Sequence, residues 1–182
     1  MTVAPSETWA VALHPGREAL DAIGAGVVVD HNLVLACEHV AFVNAVIRDE
    51  LWVAFPRDFD VAPLERRRVS RCLYNGRAEH IDLVLLELEE PVPASVRPAR
   101  LRCLPPTALK DRKWRAYGFP PNTDGGRSAR GTVSDEGGHG RVHISADGSA
   151  GVAKGFSGAA LWSPDYDAVV GVQTDTSGIR AA

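Results

Sequence analysis

A serine between closely spaced glycines gives this chain its strongest chemical signal. The segment KGFSGAALW runs from Lys154 to Trp162 and places Ser157 between Gly155 and Gly158. Glycine has no Cβ, so the backbone here can take positive φ and a substrate carbonyl can approach closely. The amides of Gly155 and Ser157 are then available to hold an oxyanion. The pattern fits a nucleophilic serine, although glycines also flank serine in ordinary turns.

Two further residues supply the base and the acid that a serine nucleophile needs. His39 follows an apolar segment in LVLACEHV, where the chain leaves a sheet, and Asp82 precedes the apolar segment of HIDLVLLEL. A partly buried carboxylate is costly unless it is paired. A histidine ring is a suitable partner, because the carboxylate fixes the tautomer whose other nitrogen accepts the serine proton. The order along the chain is His39, Asp82, Ser157.

The three cysteines favour packing roles. Cys37, Cys72 and Cys103 are an odd, sparse set without a CxxC pair, which argues against a disulfide framework and a structural zinc site. Cys37 lies two positions before His39 and would share its face on a strand, which suggests a Cys/His site. A reduced packing cysteine is the favoured interpretation, because nothing in the sequence marks Cys37 as a thiolate.

The other histidines are interpreted as residues without a catalytic or metal-binding role. His139 and His143 have the i,i+4 spacing of metal ligands on a helix, but EGGHGRVH is too glycine-rich to be helical, so both are assigned to loops. His80 is assigned as a surface neighbour of the candidate acid. His14 and His31 are assigned to loops.

Composition excludes several classes of function. The 182 residues suffice for one well-buried domain, and 45% hydrophobic with 24% charged residues is ordinary for a soluble globular protein. A net charge of -3 gives no broad electropositive field, and the Arg66–Arg68 run lacks interleaved aromatics, so it is interpreted as a solvated loop and no nucleic-acid partner is expected. The N-terminal segment does not resemble a secretory signal, and no apolar run could span a bilayer. We therefore expect a cytoplasmic protein without a membrane partner.

Short β-rich segments separated by turns make up the rest of the chain. Glycine-rich connections punctuate them, and helical periodicity is weak. Many short strands at regular spacing are typical of an all-β sandwich or a pair of barrels. The candidate strands are Trp9–Leu13, Val27–Val29, Leu33–Leu35, Leu51–Phe55, Ile81–Leu88, Trp114–Tyr117, Gly131–Val133, Arg141–Ser145, Ala159–Trp162 and Ala168–Val172.

A proline-rich stretch divides these strands into two groups. Proline has no N–H for pairing inside a sheet, so we expect residues 91–110, approximately, to link two halves. The prediction is a single domain over residues 1–182, with one barrel near residues 8–90 and the other near residues 111–182. The prolines of the stretch are Pro91, Pro93, Pro98, Pro105 and Pro106.

The segments that carry these residues resemble, in order, those of the trypsin-like (chymotrypsin-fold) serine peptidases, particularly compact bacterial trypsin-like peptidase domains. GAGVVVDHNLVLACEHV is similar to the segment that ends at the family's histidine, and IDLVLLELEEPV to the segment that holds its aspartate. AYGFP is similar to a second-barrel strand, GFSGAALW to the G-x-S-G motif, and VVGVQTD to the strand after the nucleophile. The resemblance implies two six-stranded-type antiparallel β-barrels with the active site in the cleft between them.

The resemblance also implies a role for each candidate residue. His39 would act as general base and then general acid, Asp82 would orient it, and Ser157 would be the nucleophile. Thr174 matches a family serine that hydrogen-bonds the aspartate, so it is expected to support Asp82. The amides of Gly155 and Ser157 would form the oxyanion hole. No metal or organic cofactor is implied.

The substrate pocket is assigned by counting from the nucleophile. In this family the residue six positions before the serine lies at the pocket floor, which gives Gly151 here, with Val152 beside it. Neither can neutralise a buried cation, so a small or apolar side chain before the scissile bond is favoured. Asp175 and Thr176 complete the predicted pocket. If Asp175 turned inward, it would instead receive a basic side chain.

The chain departs from the family pattern around its nucleophile and its histidine. Phe156 stands where animal members have an aspartate that pairs with a freed N-terminus, so we expect no activation by N-terminal trimming. Ala160 replaces the closing proline of the motif, and Cys37 and Glu38 replace small alanines before the histidine. Because the chain stops at GIRAA, we expect it to be a module of a longer protein.

Two functions are compatible with these observations. The favoured one is a serine endopeptidase that hydrolyses peptide bonds of a protein or peptide substrate through an acyl-enzyme, under the control of an attached regulatory domain or a partner protein. The alternative is a catalytically silent module of the same fold that binds extended peptides or scaffolds a complex.

Overall fold

The fold is almost entirely β-sheet. The computed structural model describes residues 7–58, 65–79, 81–122, 125–138, 140–148, 152 and 154–174. Within those ranges the strands form a closed six-stranded barrel, a five-stranded sheet and a small hairpin. Helices are confined to single turns, and none in the described part of the chain is long and apolar enough to cross a membrane. The all-β prediction with two barrel-like halves is confirmed.

The first half of the chain closes into an antiparallel barrel. Its strand order is β1-β2-β3-β8-β7-β6, with β6 pairing back onto β1. Along β8 the side chains alternate, so that Val84, Leu86 and Leu88 face the core. The strands are β1 (Ala10–His14), β2 (Gly24–Asp30), β3 (Leu33–Ala36), β6 (Trp52–Ala54), β7 (Arg66–Asn75) and β8 (Val84–Leu88).

Short elements join the strands of this barrel. A one-turn helix, α1 (Glu38–Ala41), follows β3 and leads into the hairpin β4 (Phe42–Val43) and β5 (Val46–Ile47). Between β7 and β8 lies a 3-10 helix, Gly76–Glu79.

The second half is a curled antiparallel sheet in the order β11-β10-β9-β12-β13. Trp114 lies on β9, the first strand of this sheet along the chain. It is almost fully buried in the core that the sheet covers. The helical turn α2 (Pro106–Leu109) precedes the sheet. Its strands are β9 (Lys113–Gly118), β10 (Arg127–Gly138), β11 (Arg141–Ala146), β12 (Ala160–Ser163) and β13 (Ala168–Val172).

The proline-rich connection lies against both halves. Ala99 donates its backbone N–H to Val28 of β2, and Arg102 donates its own to Val169 of β13. Val96 and Ala99 are buried in the core of the first barrel. The connection therefore packs as part of the molecule, with single backbone contacts in place of a continuous strand.

A buried ionic contact also joins the halves. The Glu7 side chain is 5% exposed, and its two carboxylate oxygens lie 3.6 Å from an Arg57 nitrogen and 3.7 Å from an Arg115 nitrogen. Arg57 comes three residues after the end of β6, and Arg115 lies on β9. The Arg57 guanidinium stacks on the Tyr117 ring at 4.2 Å from its centroid. The carboxylate thus sits between two cations, which offsets the cost of burying it.

The structure corrects three local assignments. The Arg66–Arg68 run begins β7 instead of forming a solvated loop, because it pairs with β6. The Arg66 guanidinium donates to the carbonyl oxygens of Gly16, Arg17 and Ala19, so these backbone groups take the place of water around the cation.

Two histidines assigned to loops lie on strands. His14 ends β1 and is buried, and His143 lies on β11 with an exposed side chain. His14 pairs with Trp52 of β6 although Pro15 and Gly16 follow it. His143 lies within the candidate strand Arg141–Ser145, which agrees with β11. His31 does lie in the turn between β2 and β3. His80 and His139 fall outside the described residues.

Candidate active site

The register of two neighbouring strands brings His39 and Asp82 together. Ala36 at the end of β3 is opposite Val84 at the start of β8. His39 comes three residues after Ala36, in the first turn beyond the strand, and Asp82 comes two residues before Val84. Because the strands are antiparallel and paired, both residues must emerge at the same end of the barrel.

The loop that presents Asp82 turns tightly at Gly76. Gly76 N–H donates to the Leu83 carbonyl at 2.8 Å, and the Ile81 N–H donates back to the Gly76 carbonyl at 2.9 Å. A Cβ at Gly76 would lie 2.6 Å from the Ile81 carbonyl oxygen, so only glycine fits this closure. Arg77 on the same loop lies 3.6 Å from Glu38 of α1 and links the two loops further.

Both oxygens of the Asp82 carboxylate bind His39. Oδ1 accepts the His39 backbone N–H at 3.0 Å, and Oδ2 lies 2.6 Å from Nδ1 of the ring. Because an ionised carboxylate only accepts hydrogen bonds, Nδ1 is assigned the ring proton and Nε2 is left as a lone-pair acceptor. The His39 side chain is 49% exposed and the Asp82 side chain is 27% exposed, so solvent can reach the imidazole. This is the tautomer that a general base requires.

Backbone contacts from both halves fix the Ser157 segment. The Ser157 carbonyl accepts the Ala25 N–H of β2 at 2.8 Å. Gly158 donates to the Gln173 carbonyl at 2.8 Å, and Gln173 donates to the Ala159 carbonyl at the same distance. The nucleophile segment is therefore held between the first barrel and the chain just beyond β13.

The two glycines around Ser157 are required by close backbone approach. Gly155 has φ +97° and Gly158 has φ +89°. A Cβ at Gly155 would overlap the Phe119 carbonyl oxygen, and one at Gly158 would overlap the Ala25 carbonyl oxygen. Phe119 also donates its N–H to the Gly155 carbonyl at 2.9 Å, which orients that peptide.

The predicted oxyanion donors, Gly155 and Ser157, have backbone N–H groups without a hydrogen-bond partner in the described part of the chain. Within the same ranges no side-chain hydrogen bond joins Ser157 to His39 either. Such catalytic contacts are often loose without substrate and tighten when it binds.

Phe156 fills the position that precedes the nucleophile. Its side chain is 0% exposed, and its ring lies so close to Gly118 that a Cβ there would be 2.5 Å from the ring. The Arg127 guanidinium lies 6.0 Å from the ring centroid. The buried ring supports by packing the segment of residues 155–157, called here the oxyanion loop because it carries the predicted oxyanion donors.

Cys37 is a member of the site, although the sequence analysis favoured a packing role for it over a Cys/His site. Its Sγ donates to the Gln173 carbonyl at 3.2 Å, and ligand atoms of Cys37, His39 and Asp82 lie within 4.8 Å of one another. Burial and the neighbouring Asp82 carboxylate raise the pKa of the Cys37 thiol well above its usual range. The sequence feature that pointed to the site was the position of Cys37, two residues before His39. Cys37 lies at the N-terminal boundary of α1, however, and not within a strand.

The remaining predicted residues are only partly described. No hydrogen bond joins Thr174 to Asp82 within the described part of the chain, so its supporting role stays a prediction. Val152 is 8% exposed and packs in the core of the second half. Gly151, Asp175 and Thr176 lie outside the described residues.

A model of the trypsin-like peptidase domain matches residues 24–172, which is most of the chain and includes all three candidate catalytic residues. The chain belongs to the trypsin-like peptidase domain family. This family is one of peptidases, and the comparison supports a serine-protease type of function for the domain. No curated protein is similar enough in sequence to match.

Solved structures of proteases and peptidases have the same fold. A Glu endopeptidase in complex with MPD superposes with a TM-score of 0.72 at 16% identity, covering 97% of this chain and 83% of that one. Kallikrein-related peptidase 10 gives 0.69 at 21% identity, covering 94% and 84%. The MamO protease domain from Magnetospirillum magneticum gives 0.68 at 16% identity, covering 96% and 87%. At these identities the similarity is one of fold.

Proposed function

We propose that this trypsin-like peptidase domain is an active serine endopeptidase that uses Ser157, His39 and Asp82. The observation that carries the proposal is the paired contact of the Asp82 carboxylate with the backbone and Nδ1 of His39, the latter at 2.6 Å. A carboxylate in this position holds the imidazole as the Nδ1–H tautomer and stabilises the imidazolium formed during the reaction.

The reaction begins with proton transfer from Ser157 Oγ to His39 Nε2. Oγ attacks the scissile carbonyl carbon, and the carbonyl oxygen takes the negative charge. The N–H groups of Gly155 and Ser157 receive that oxyanion. His39 then protonates the leaving amine, and water attacks the acyl-enzyme with His39 again as base. Donors fixed before the reaction stabilise the developing charge without a reorganisation cost.

The test compares three proteins with a fluorophosphonate probe and a peptide-library assay. Wild type should label at one serine and cleave peptides. Ser157→Ala should do neither, and Asp82→Asn should lose about 10⁴-fold in kcat, as in characterised triads of this family. Circular dichroism serves to show that both variants keep the β fold. Full turnover by Ser157→Ala would refute the assigned nucleophile, and a folded, unreactive wild type would favour a silent peptide-binding module.

We propose a small or apolar residue before the scissile bond, as the chain places no acid at position 151 or 152. A leucine-sized side chain gains about 1.5 to 3 kcal/mol on burial, whereas an unpaired cation keeps its desolvation penalty. The same library reports this preference. Selective cleavage after arginine or lysine, lost in Asp175→Asn, would reverse it.

The domain's cellular setting is also a proposal. The three cysteines are all free thiols, which supports a reducing, cytoplasmic location. Regulation by an attached domain or partner protein would make the isolated domain label slowly although its site is complete.

A further inference from the structure

One thiol at the site has no task in the proposed reaction. Cys37 Sγ, one ring nitrogen of His39 and one carboxylate oxygen of Asp82 lie within 4.8 Å of one another. Nδ1 is the ring nitrogen that faces the carboxylate, 2.6 Å from Oδ2. The serine mechanism uses the imidazole and the carboxylate, but it needs no sulfur beside them.

We propose that Cys37, His39 and Asp82 bind one borderline-soft divalent cation, with Zn²⁺ as the representative, and that this binding inhibits the peptidase. A thiolate, an imidazole nitrogen and a carboxylate oxygen are ligands that Zn²⁺ accepts, and three protein ligands leave a fourth position for water. The inhibition rests on the proposed peptidase function, whereas the binding does not.

The observed spacing is close to that of a tetrahedral site. Zinc–ligand bonds of about 2.0 to 2.3 Å place ligand atoms about 3.3 to 3.6 Å apart. The sulfur therefore has to approach by little more than about 1 Å, and the hydrogen-bonded Nδ1 and Oδ2 have to separate by slightly less than that. Rotation of the half-exposed His39 ring supplies such a shift without moving the strands.

The three proposed ligands differ in their exposure to solvent. The His39 and Asp82 side chains are 49% and 27% exposed, whereas Cys37 is 0% exposed. A cation arriving from solvent meets the imidazole and the carboxylate first and reaches the sulfur beneath them. Mg²⁺ and Ca²⁺ prefer sets of oxygen ligands, so a site with one carboxylate and a thiol discriminates against them.

Binding exchanges protons in a way that stops catalysis. The Cys37 S–H bond breaks, its electron pair goes to the metal, and the proton leaves to solvent. Nδ1 gives its lone pair to the metal, so the single proton of the neutral ring resides on Nε2. A protonated Nε2 cannot accept the Ser157 proton, and Asp82 no longer orients the ring. The domain is then folded but has no general base.

Binding is tested without turnover. Calorimetric titration of Ser157→Ala with Zn²⁺, and separately with Cd²⁺, should show one saturable site, and Mg²⁺ should show none. Adding Cys37→Ala or Cys37→Ser should weaken Zn²⁺ binding about 100-fold or more, because even outer-shell changes cost 10- to 100-fold. Serine keeps the size of the side chain, so one of the two variants serves if the other fails to fold.

Matched controls locate the site. Cys103→Ala removes an exposed thiol and His143→Ala removes an exposed imidazole, and both should keep the affinity of the parent protein. Undiminished Zn²⁺ binding by both Cys37 variants would overturn the proposal. A large loss in Cys103→Ala or His143→Ala would also overturn it, because the cation would then bind elsewhere.

Inhibition is measured in the active enzyme, with each variant compared with its own metal-free rate. Zn²⁺ should inhibit wild type reversibly, with recovery on adding a chelator, and Cys37→Ala should need about 100-fold more Zn²⁺. Equal inhibition of both would refute the assigned mechanism. If wild type cleaves no peptide but binds Zn²⁺ through Cys37, the proposed function fails while the cation site stands.

Discussion

The two parts of the candidate triad are held in different ways. His39 and Asp82 both belong to the first barrel, where the pairing of β3 with β8 sets their separation. Ser157 belongs to the second half, and the position of its segment depends on a few backbone hydrogen bonds: one from Ala25, one from Phe119 and a pair with Gln173. The acid–base pair is thus fixed within one hydrogen-bonded barrel, and the nucleophile is fixed across the seam between the halves.

This difference predicts where the site is vulnerable. A ladder of paired strands distributes its constraint over many hydrogen bonds, so the loss of one side-chain contact changes it little. The Ser157 segment has few contacts and several close approaches, so small steric changes there should displace the nucleophile. The predictions below test the two kinds of support in order of decreasing effect.

The largest effect is expected for Phe156, which packs beneath the oxyanion loop. Phe156→Ala should destabilise the domain by about 3 to 5 kcal/mol, because a fully buried aromatic leaves a cavity. Urea unfolding monitored by circular dichroism measures it, with Phe156→Leu as the milder control. A loss below about 1 kcal/mol would contradict close packing under the loop, since surface-like sites show values of that size.

His14 tests the first barrel instead. Burial, assisted by the nearby Arg66 guanidinium, lowers the pKa of His14 from 6.5 to about 4. The unfolded chain therefore takes up a proton near pH 6.5 while the folded one does not. The free energy of unfolding should be highest above about pH 6.5. It should fall as the pH is lowered from 6.5 to about 4, by on the order of 3 kcal/mol.

The measurement for His14 is a comparison of pH profiles. Urea unfolding of wild type and of His14→Gln is measured across this pH range. Because the acidic residues titrate in both proteins, the difference between the two profiles is the contribution of His14 to the free energy of unfolding. The variant should be less sensitive to pH. Parallel profiles would show that the His14 ring titrates alike in the folded and unfolded states.

Gly158 tests the seam between the halves. Gly158→Ala would force a Cβ into the Ala25 carbonyl and strain a residue at φ +89°. Moving Ser157 by about 1 Å should cost about 10²-fold in kcat/KM. Gly140→Ala is the matched control, because Gly140 has φ +73° but an added Cβ would meet nothing within 4 Å. Equal losses in both variants would assign the effect to backbone strain alone.

The smallest effect is expected for the Arg77–Glu38 ion pair near the triad. The Arg77 side chain is 59% exposed, so Arg77→Ala should cost less than about 1 kcal/mol in stability or in transition-state binding. Kinetic assays measure the change in kcat/KM, and urea unfolding curves measure the change in the free energy of unfolding. A tenfold or larger loss of kcat/KM, about 1.4 kcal/mol, would show that this contact, and not strand register, positions His39 and Asp82.

The sequence by itself determined the all-β class and most strand positions. Short apolar runs bounded by glycine and proline mark strands through local chemistry, and the β13 prediction, Ala168–Val172, agrees with the structure residue for residue. Glycines at 155 and 158 were also readable, because no other residue adopts their backbone angles without strain. The motifs that contain His39, Asp82 and Ser157, in that order, predicted a serine nucleophile with a histidine base and an orienting acid.

Only the tertiary structure decided how distant segments meet. The β7 strand was missed because its arginines look solvated until the carbonyls of residues 16, 17 and 19 are placed around Arg66. The Cys37 thiol looked like packing because its neighbours, Asp82 and Gln173, are 45 and 136 residues away in sequence. Local propensity fixes strands and turns, whereas β pairing between distant segments fixes which side chains share a site.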